Sequence, residues 1–135
     1  MKKPRWIDKR ALLLLHEESL ALFGGSRGTR DEGLLDSALA RPLNLNTYKE
    51  GPTIAELAAC YGLGIAKNHA FVDGNKRAAY LAIKLFLRLN GYELNAPAVD
   101  AITAMLALAA GDLDEAGLAE WMAKHTVRVA RVRKK

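Results

Sequence analysis

The chain has one cysteine, Cys60. A lone thiol cannot build a disulfide framework or a cysteine-ligated zinc cluster, and it fits a reducing, cytoplasmic setting. Long apolar runs are missing as well. The strongest, Ala11–Leu15 and Ala78–Leu89, are short, and the second is broken by Lys84 and Arg88. Neither approaches the ~18 residues that cross a bilayer, so no membrane partner is expected. Behind the charged start Met1-Lys2-Lys3-Pro4-Arg5-Trp6 there is no clean apolar stretch with a small-residue cleavage site, and no signal peptide is expected. No Gly-Lys-Ser/Thr loop occurs, which removes a P-loop nucleotidase. His16-Glu17-Glu18 lacks the second histidine of a zinc helix and reads as an ordinary helix face. Gly24-Gly25-Ser26-Arg27-Gly28 has the spacing of a nucleophile elbow, but that elbow must follow a strand, and here a helical pattern precedes it.

What is present suits one domain over residues 1–135, with a core of about 8–126 and basic segments at 1–7 and 127–135. Half of the residues are hydrophobic (50%), enough to bury a core and too many for a disordered chain. The net charge of +5 is unevenly placed. Lys2, Lys3, Arg5, Lys9 and Arg10 stand against Asp8 at the start, and Lys124, Arg128, Arg131, Arg133, Lys134 and Lys135 stand unopposed at the end. The body between them holds nine bases and fourteen acids. A nucleic-acid binder carries its basic patch on the folded surface, so nucleic acid is not the expected partner.

The 3.6-residue period dominates and predicts an all-α fold of about six helices. Asp8 caps a first helix reaching about Phe23, and Gly24-Gly25 ends it. Thr29-x-x-Glu32 has the reciprocal capping pattern for a short helix through Ala40, with Pro42 as its stop. Leu43–Pro52 is polar and aperiodic and reads as an exposed loop or small hairpin. Thr53-x-x-Glu56 opens a third helix, to about Lys67, rich in small residues that permit close approach of a neighbour. A helix from about Asn75 to Asn90 is apolar nearly all round except for Arg77, Lys84 and Arg88, the mark of a buried central helix. After a short extended piece at Tyr92–Leu94, Pro97 starts a helix ending near Gly111, and a last one spans about Leu113 to His125. Cys60 and His125 read as structural, and Trp6 and Trp121 as residues that pack the terminal segments.

The chemistry is concentrated in His69-Ala70-Phe71-Val72-Asp73-Gly74-Asn75-Lys76-Arg77, the link into the central helix. A helix start offers unpaired N–H groups and the positive end of the macrodipole, a seat for phosphate. Gly74 lets backbone approach an anion, and Lys76 and Arg77 add two cations there. Two bases in a first turn oppose the dipole, at a cost of about a few tenths of a kcal/mol, unless something negative joins them. Asp73 is a hard oxygen ligand for a divalent cation. His69 can accept a proton from an attacking hydroxyl. Base, metal ligand and phosphate cradle are the parts of nucleotide-dependent group transfer. Bland accounts compete: a core histidine, and Asp-Gly-Asn as turn chemistry.

The motif His69-x-Phe71-x-Asp73-Gly74-Asn75-Lys76-Arg77 resembles the signature of the Fic/Doc superfamily, its Doc (death-on-curing) branch in particular. Phe23-Gly24-Gly25, Gly28, Leu34-Leu35-x-x-Ala38-x-x-Arg41-Pro42 and Phe86-Leu87-x-x-Asn90-Gly91-Tyr92 agree with it, so the similarity covers roughly residues 10–122. The resemblance implies an all-α domain with the motif between two central helices. It also implies His69 as base, Asp73 as the Mg²⁺ ligand, and the turn Gly74, Asn75, Lys76 and Arg77 as the phosphate cradle. Two departures stand out. Ala70 replaces a usual proline, which loosens the loop but removes no reacting group. The adenylylating members read Gly-Asn-Gly-Arg-x-x-Arg, where this chain has Lys76 and Tyr80.

Doc-type members share the lysine. Their resemblance implies a toxin that is an ATP- and Mg²⁺-dependent protein Ser/Thr kinase, which passes the γ-phosphate to elongation factor Tu and arrests growth. An adenylyltransferase is the alternative enzyme, and a non-catalytic nucleic-acid or protein binding module the alternative outside enzymes. No Ser or Thr is followed four residues later by Glu, so the inhibitory helix of some Fic proteins is lacking. Control by a separate small antitoxin is expected.

Overall fold

The computed structural model describes residues 3–129. Asp8 opens α1 (Lys9–Phe23) as its position predicts, its carboxylate accepting the Arg10 N–H at 3.3 Å. The helix ends at Gly24, whose N–H returns to the Leu20 carbonyl.

The second helix departs from expectation at both ends. α2 (Glu32–Tyr48) is capped by Asp31, which accepts the Leu34 N–H at 3.0 Å. Thr29 instead forms an antiparallel bridge with Phe71. The helix then runs through Pro42 and takes in most of residues 43–51, so neither a stop at Ala40 nor a loop there is found. A mid-helix proline forfeits a hydrogen bond and costs ~3 kcal/mol. Pro42 is itself buried, and Leu39 and Leu45 on either side pack on the core. Burial therefore outweighs local propensity, as tertiary context often does.

α3 (Ile54–Asn68) begins with the expected reciprocal cap: Glu56 N–H donates to Thr53 Oγ1 (3.0 Å), and Thr53 N–H donates to Glu56 Oε1 (2.8 Å). Its small face lets α4 (Asn75–Leu89) come close. A Cβ on Gly62 would lie 2.6 Å from Ile83 Cδ1. α4 is the central helix, burying Ala78, Ala79, Ala82, Ile83, Phe86 and Leu87 while Lys84 and Arg88 stay exposed.

The extended piece is real but has a partner that the helical period hid. β1 (Tyr92–Leu94) pairs antiparallel with β2 (Thr126–Arg128) in the register Tyr92–Arg128, Glu93–Val127, Leu94–Thr126. Between them lie α5 (Ala98–Ala110) and α6 (Glu115–His125), the latter capped by Asp114 through the Gly117 N–H. Among the described residues, six helices against two three-residue strands make the fold all-α.

Trp6 stacks on Phe86 with ring centroids 6.0 Å apart, and Tyr61 Oη accepts the Ile7 N–H, so the N-terminal segment is held as expected. Trp121 packs against His125, whose Nδ1 lies 2.8 Å from the Trp121 carbonyl. Cys60 is buried and its thiol is pushed up to about 11 by desolvation, which leaves it protonated and inert. Among the described residues, no helix is long and apolar enough to cross a membrane. The terminal bases at 130–135 lie outside the described residues.

Candidate active site

The loop from His69 to Gly74 joins the end of α3 to the start of α4, and its backbone is tied on all sides. His69 caps α3 in the left-handed conformation (φ 51°, ψ 47°), uncommon for a side chain with a Cβ. The rest of the molecule holds it there. Arg30 Nε donates to the His69 carbonyl at 2.8 Å, and Asn68 Nδ2 donates to the Leu34 carbonyl at 2.9 Å. The guanidinium thereby neutralises the carbonyl end of α3, while the His69 ring is exposed.

Ala70 is buried, and its carbonyl accepts the N–H groups of Arg30 (2.7 Å) and Asp31 (3.0 Å). Two hydrogen bonds thus tie down the position where a proline was missing. Val72 N–H donates to the Gly28 carbonyl at 3.0 Å, continuing a short ladder between residues 28–31 and 70–72. Asn75 closes the turn from within: its Oδ1 accepts the Phe71 N–H and its Nδ2 donates to the Phe71 carbonyl, both at 3.0 Å. Its amide is engaged by the turn, so the Asn75 side chain holds the loop in shape.

Asp73 is exposed and oriented by two main-chain donors, Ser26 N–H to Oδ2 (3.0 Å) and Gly74 N–H to Oδ1 (2.8 Å). Ser26 N–H first, then Gly74 N–H and the nearby Arg77 cation, hold its carboxyl below the usual carboxylate range. Gly25 makes the approach possible, since a Cβ there would stand 3.0 Å from Asp73 Oδ2 and 2.7 Å from Leu20 Cδ2. The elbow-like Gly24–Gly28 segment is therefore the wall of the Asp73 site, with no strand before it.

Gly74 begins α4 with φ 75°, and the helix has neither a side-chain cap nor an acidic residue in its first turn. Lys76 is exposed there. Arg77 donates to the Gly24 carbonyl at 3.3 Å and its guanidinium lies 5.7 Å from the centroid of the Phe23 ring. The six residues singled out in the sequence are thus brought onto one open surface. A groove of about 510 Å³ lies at the opposite end of α3, lined by Thr53, Glu56, Glu115 and Glu120 among others.

No cluster of three or more His, Cys, Asp or Glu side chains suited to a metal is found among the described residues. A magnesium ion shared with a nucleotide does not need one, because it takes one or two carboxylates and completes its shell with phosphates and water. Asp73 fits that role. Its two hydrogen bonds leave carboxylate lone pairs facing solvent, and its lowered pKa keeps it ionised.

The motif did not reveal three contributors. Ser26 acts through its backbone, which carries no side-chain signal. Arg30 acts across 39 residues of chain. His16, read as an ordinary helix face, is buried under the loop with its ring 4.0 Å from that of Phe71. Its i±4 spacing to Leu12 and Leu20, both core residues, was the available clue.

Residues 6–87 match the family model described as the Fic/DOC family. Over 78 residues the chain is 45% identical to the protein named Toxin Doc of Mycolicibacterium smegmatis, covering 55% of this chain and 58% of that one. Over 90 residues it is 33% identical to the Protein kinase doc of Escherichia phage P1, covering 67% of this chain and 71% of the relative. The match to the mycolicibacterial relative thus spans a little over half of that protein's length.

Proposed function

The chain belongs to the Fic/DOC family, and from that premise we propose that it is a Doc-like toxin kinase that moves the γ-phosphate of ATP to a protein hydroxyl. One observation carries the reading. α4 starts without a side-chain cap and without an acidic residue, yet bears Lys76 and Arg77 in its first turn beside an ionised Asp73. Such a start is electrostatically incomplete and is satisfied by a polyanion with its own cation. The names of both relatives, a toxin and a protein kinase, point the same way.

Each residue has a task. Gly74 and the first N–H groups of α4 receive phosphate oxygens, while Lys76 and Arg77 spread positive charge over the transferring group. Asp73 would hold Mg²⁺, which when bound offsets charge on the phosphates. His69 takes the proton of the substrate hydroxyl as that oxygen bonds to the γ-phosphorus. The bond from phosphorus to the bridging oxygen breaks, ADP leaves with that electron pair, and His69 then releases its proton to solvent. The open surface suits a protein substrate that brings its own hydroxyl. Elongation factor Tu is the proposed target, and a small antitoxin the proposed inhibitor.

The test is transfer from ATP labelled at either end. Label from the γ-phosphate on elongation factor Tu supports the kinase, and label retained only from the α-phosphate makes the protein an adenylyltransferase.

A further inference from the structure

His16 lies on the core face of α1 with Leu12 and Leu20 and is 2% exposed. Its ring is the floor of the motif turn. It packs against Phe71 at 4.0 Å with an interplanar angle of 33°. At the other end of the turn, its Cε1 and Nδ1 atoms lie 3.0 and 3.8 Å from where a Cβ on Gly74 would stand. One aromatic ring thus touches both ends of the segment that presents Asp73.

Packing alone does not account for a histidine there. Neither ring nitrogen has a well-aligned hydrogen-bond partner in the protein, and an unsatisfied buried polar group costs about 1–3 kcal/mol. A phenylalanine would fill the same floor without that cost. Burial pushes the imidazole below its usual pKa, so it is neutral, with one N–H donor and one acceptor. The polar group that faces it is the backbone of Asp73, close enough to oppose that shift without forming an aligned bond.

We propose that His16 is a positioning residue of the transfer reaction, its polar ring edge holding the Asp73–Gly74 peptide so that the Asp73 carboxylate and the first N–H groups of α4 keep one geometry. The inference rests on the kinase reading for its kinetic arm and on the unliganded fold for its other arm. His16 touches no reacting atom; it acts through the turn.

Two variants of the full chain separate polarity from packing. His16→Phe keeps a ring and removes the polar edge, and His16→Asn places an amide near the position of Nδ1. Amide exchange at Gly74, whose N–H is bonded to Asp73 Oδ1, is read in the absence of nucleotide. The expected result for His16→Phe is exchange at least about tenfold faster than wild type, kcat lower by about 10²-fold, and KM for ATP within about threefold. His16→Asn should recover Gly74 exchange to within about threefold and kcat to within about tenfold. Wild-type exchange and kcat in His16→Phe overturn the proposal, as does equal loss in both variants in step with lowered melting temperature. If His16→Phe does not fold, His16→Asn decides: slow Gly74 exchange supports the role, and tenfold faster exchange at unchanged melting temperature overturns it. If wild type transfers no phosphate, the kinase reading fails and the exchange arm alone judges His16.

Discussion

At the scale of single residues, the proposed reaction divides the motif into groups that would react and groups that hold. His69 is exposed and held only through its backbone, so His69→Ala should remove transfer by ~10²–10⁴-fold while leaving the melting temperature and nucleotide affinity nearly unchanged. Loss of activity together with unfolding would return His69 to a structural role. Asp73 makes a prediction with a definite sign. Its folded pKa is depressed, so its ionised form contributes stability that is present above the unfolded carboxyl pKa of ~3.9 and is lost as pH falls through the folded value. The difference in melting temperature between wild type and Asp73→Asn should therefore be full above about pH 4, shrink as pH falls below it, and vanish only beneath the folded pKa. In kinetics, Asp73→Asn should lower Mg²⁺-dependent transfer strongly, with part of it restored at higher Mg²⁺. Transfer that needs no divalent ion would reduce Asp73 to turn chemistry.

At the scale of elements, the capping residues are the sharpest test of how sequence becomes structure. Asp31, not Thr29, holds the start of α2, so Asp31→Ala should cost about 1 kcal/mol in chemical denaturation and Thr29→Ala clearly less at the cap. A reversed order would restore the Thr29–Glu32 box. The comparison also shows where sequence reasoning succeeded. Asp8, Thr53 with Glu56, Gly24 and Gly111 announce helix ends through local chemistry, and that chemistry is what the chain uses. Pro42 misled because its local penalty is offset by its burial in the fold, which no window of sequence contains. β2 was missed for the same reason: three residues become a strand only when β1, thirty-odd positions earlier, lies beside them. The motif loop was legible because its residues are contiguous. Its support from Ser26, Arg30 and His16 was not, because those contacts close across 47, 39 and similar stretches of chain.

At the scale of the whole molecule, the motif loop and the segments at Arg5 and Val129 sit at opposite ends of one helix. α4 begins at the motif and finishes at Leu89, and fifteen helical residues span roughly 20 Å. At that far end Arg5 N–H donates to Asn90 Oδ1, and Val129 N–H donates to the Gly91 carbonyl. Removing residues 130–135 takes away four bases, Arg131, Arg133, Lys134 and Lys135, yet should leave phosphate transfer within about twofold of the full chain. A folded but inactive product would give the basic tail a part in the reaction. Because the segments at Arg5 and Val129 meet at one pole, a reporter or a surface anchor attached at either position would leave the motif turned outward. A short peptide joining Arg5 to Val129, with the residues beyond them removed, would close the described chain into a ring away from the motif loop.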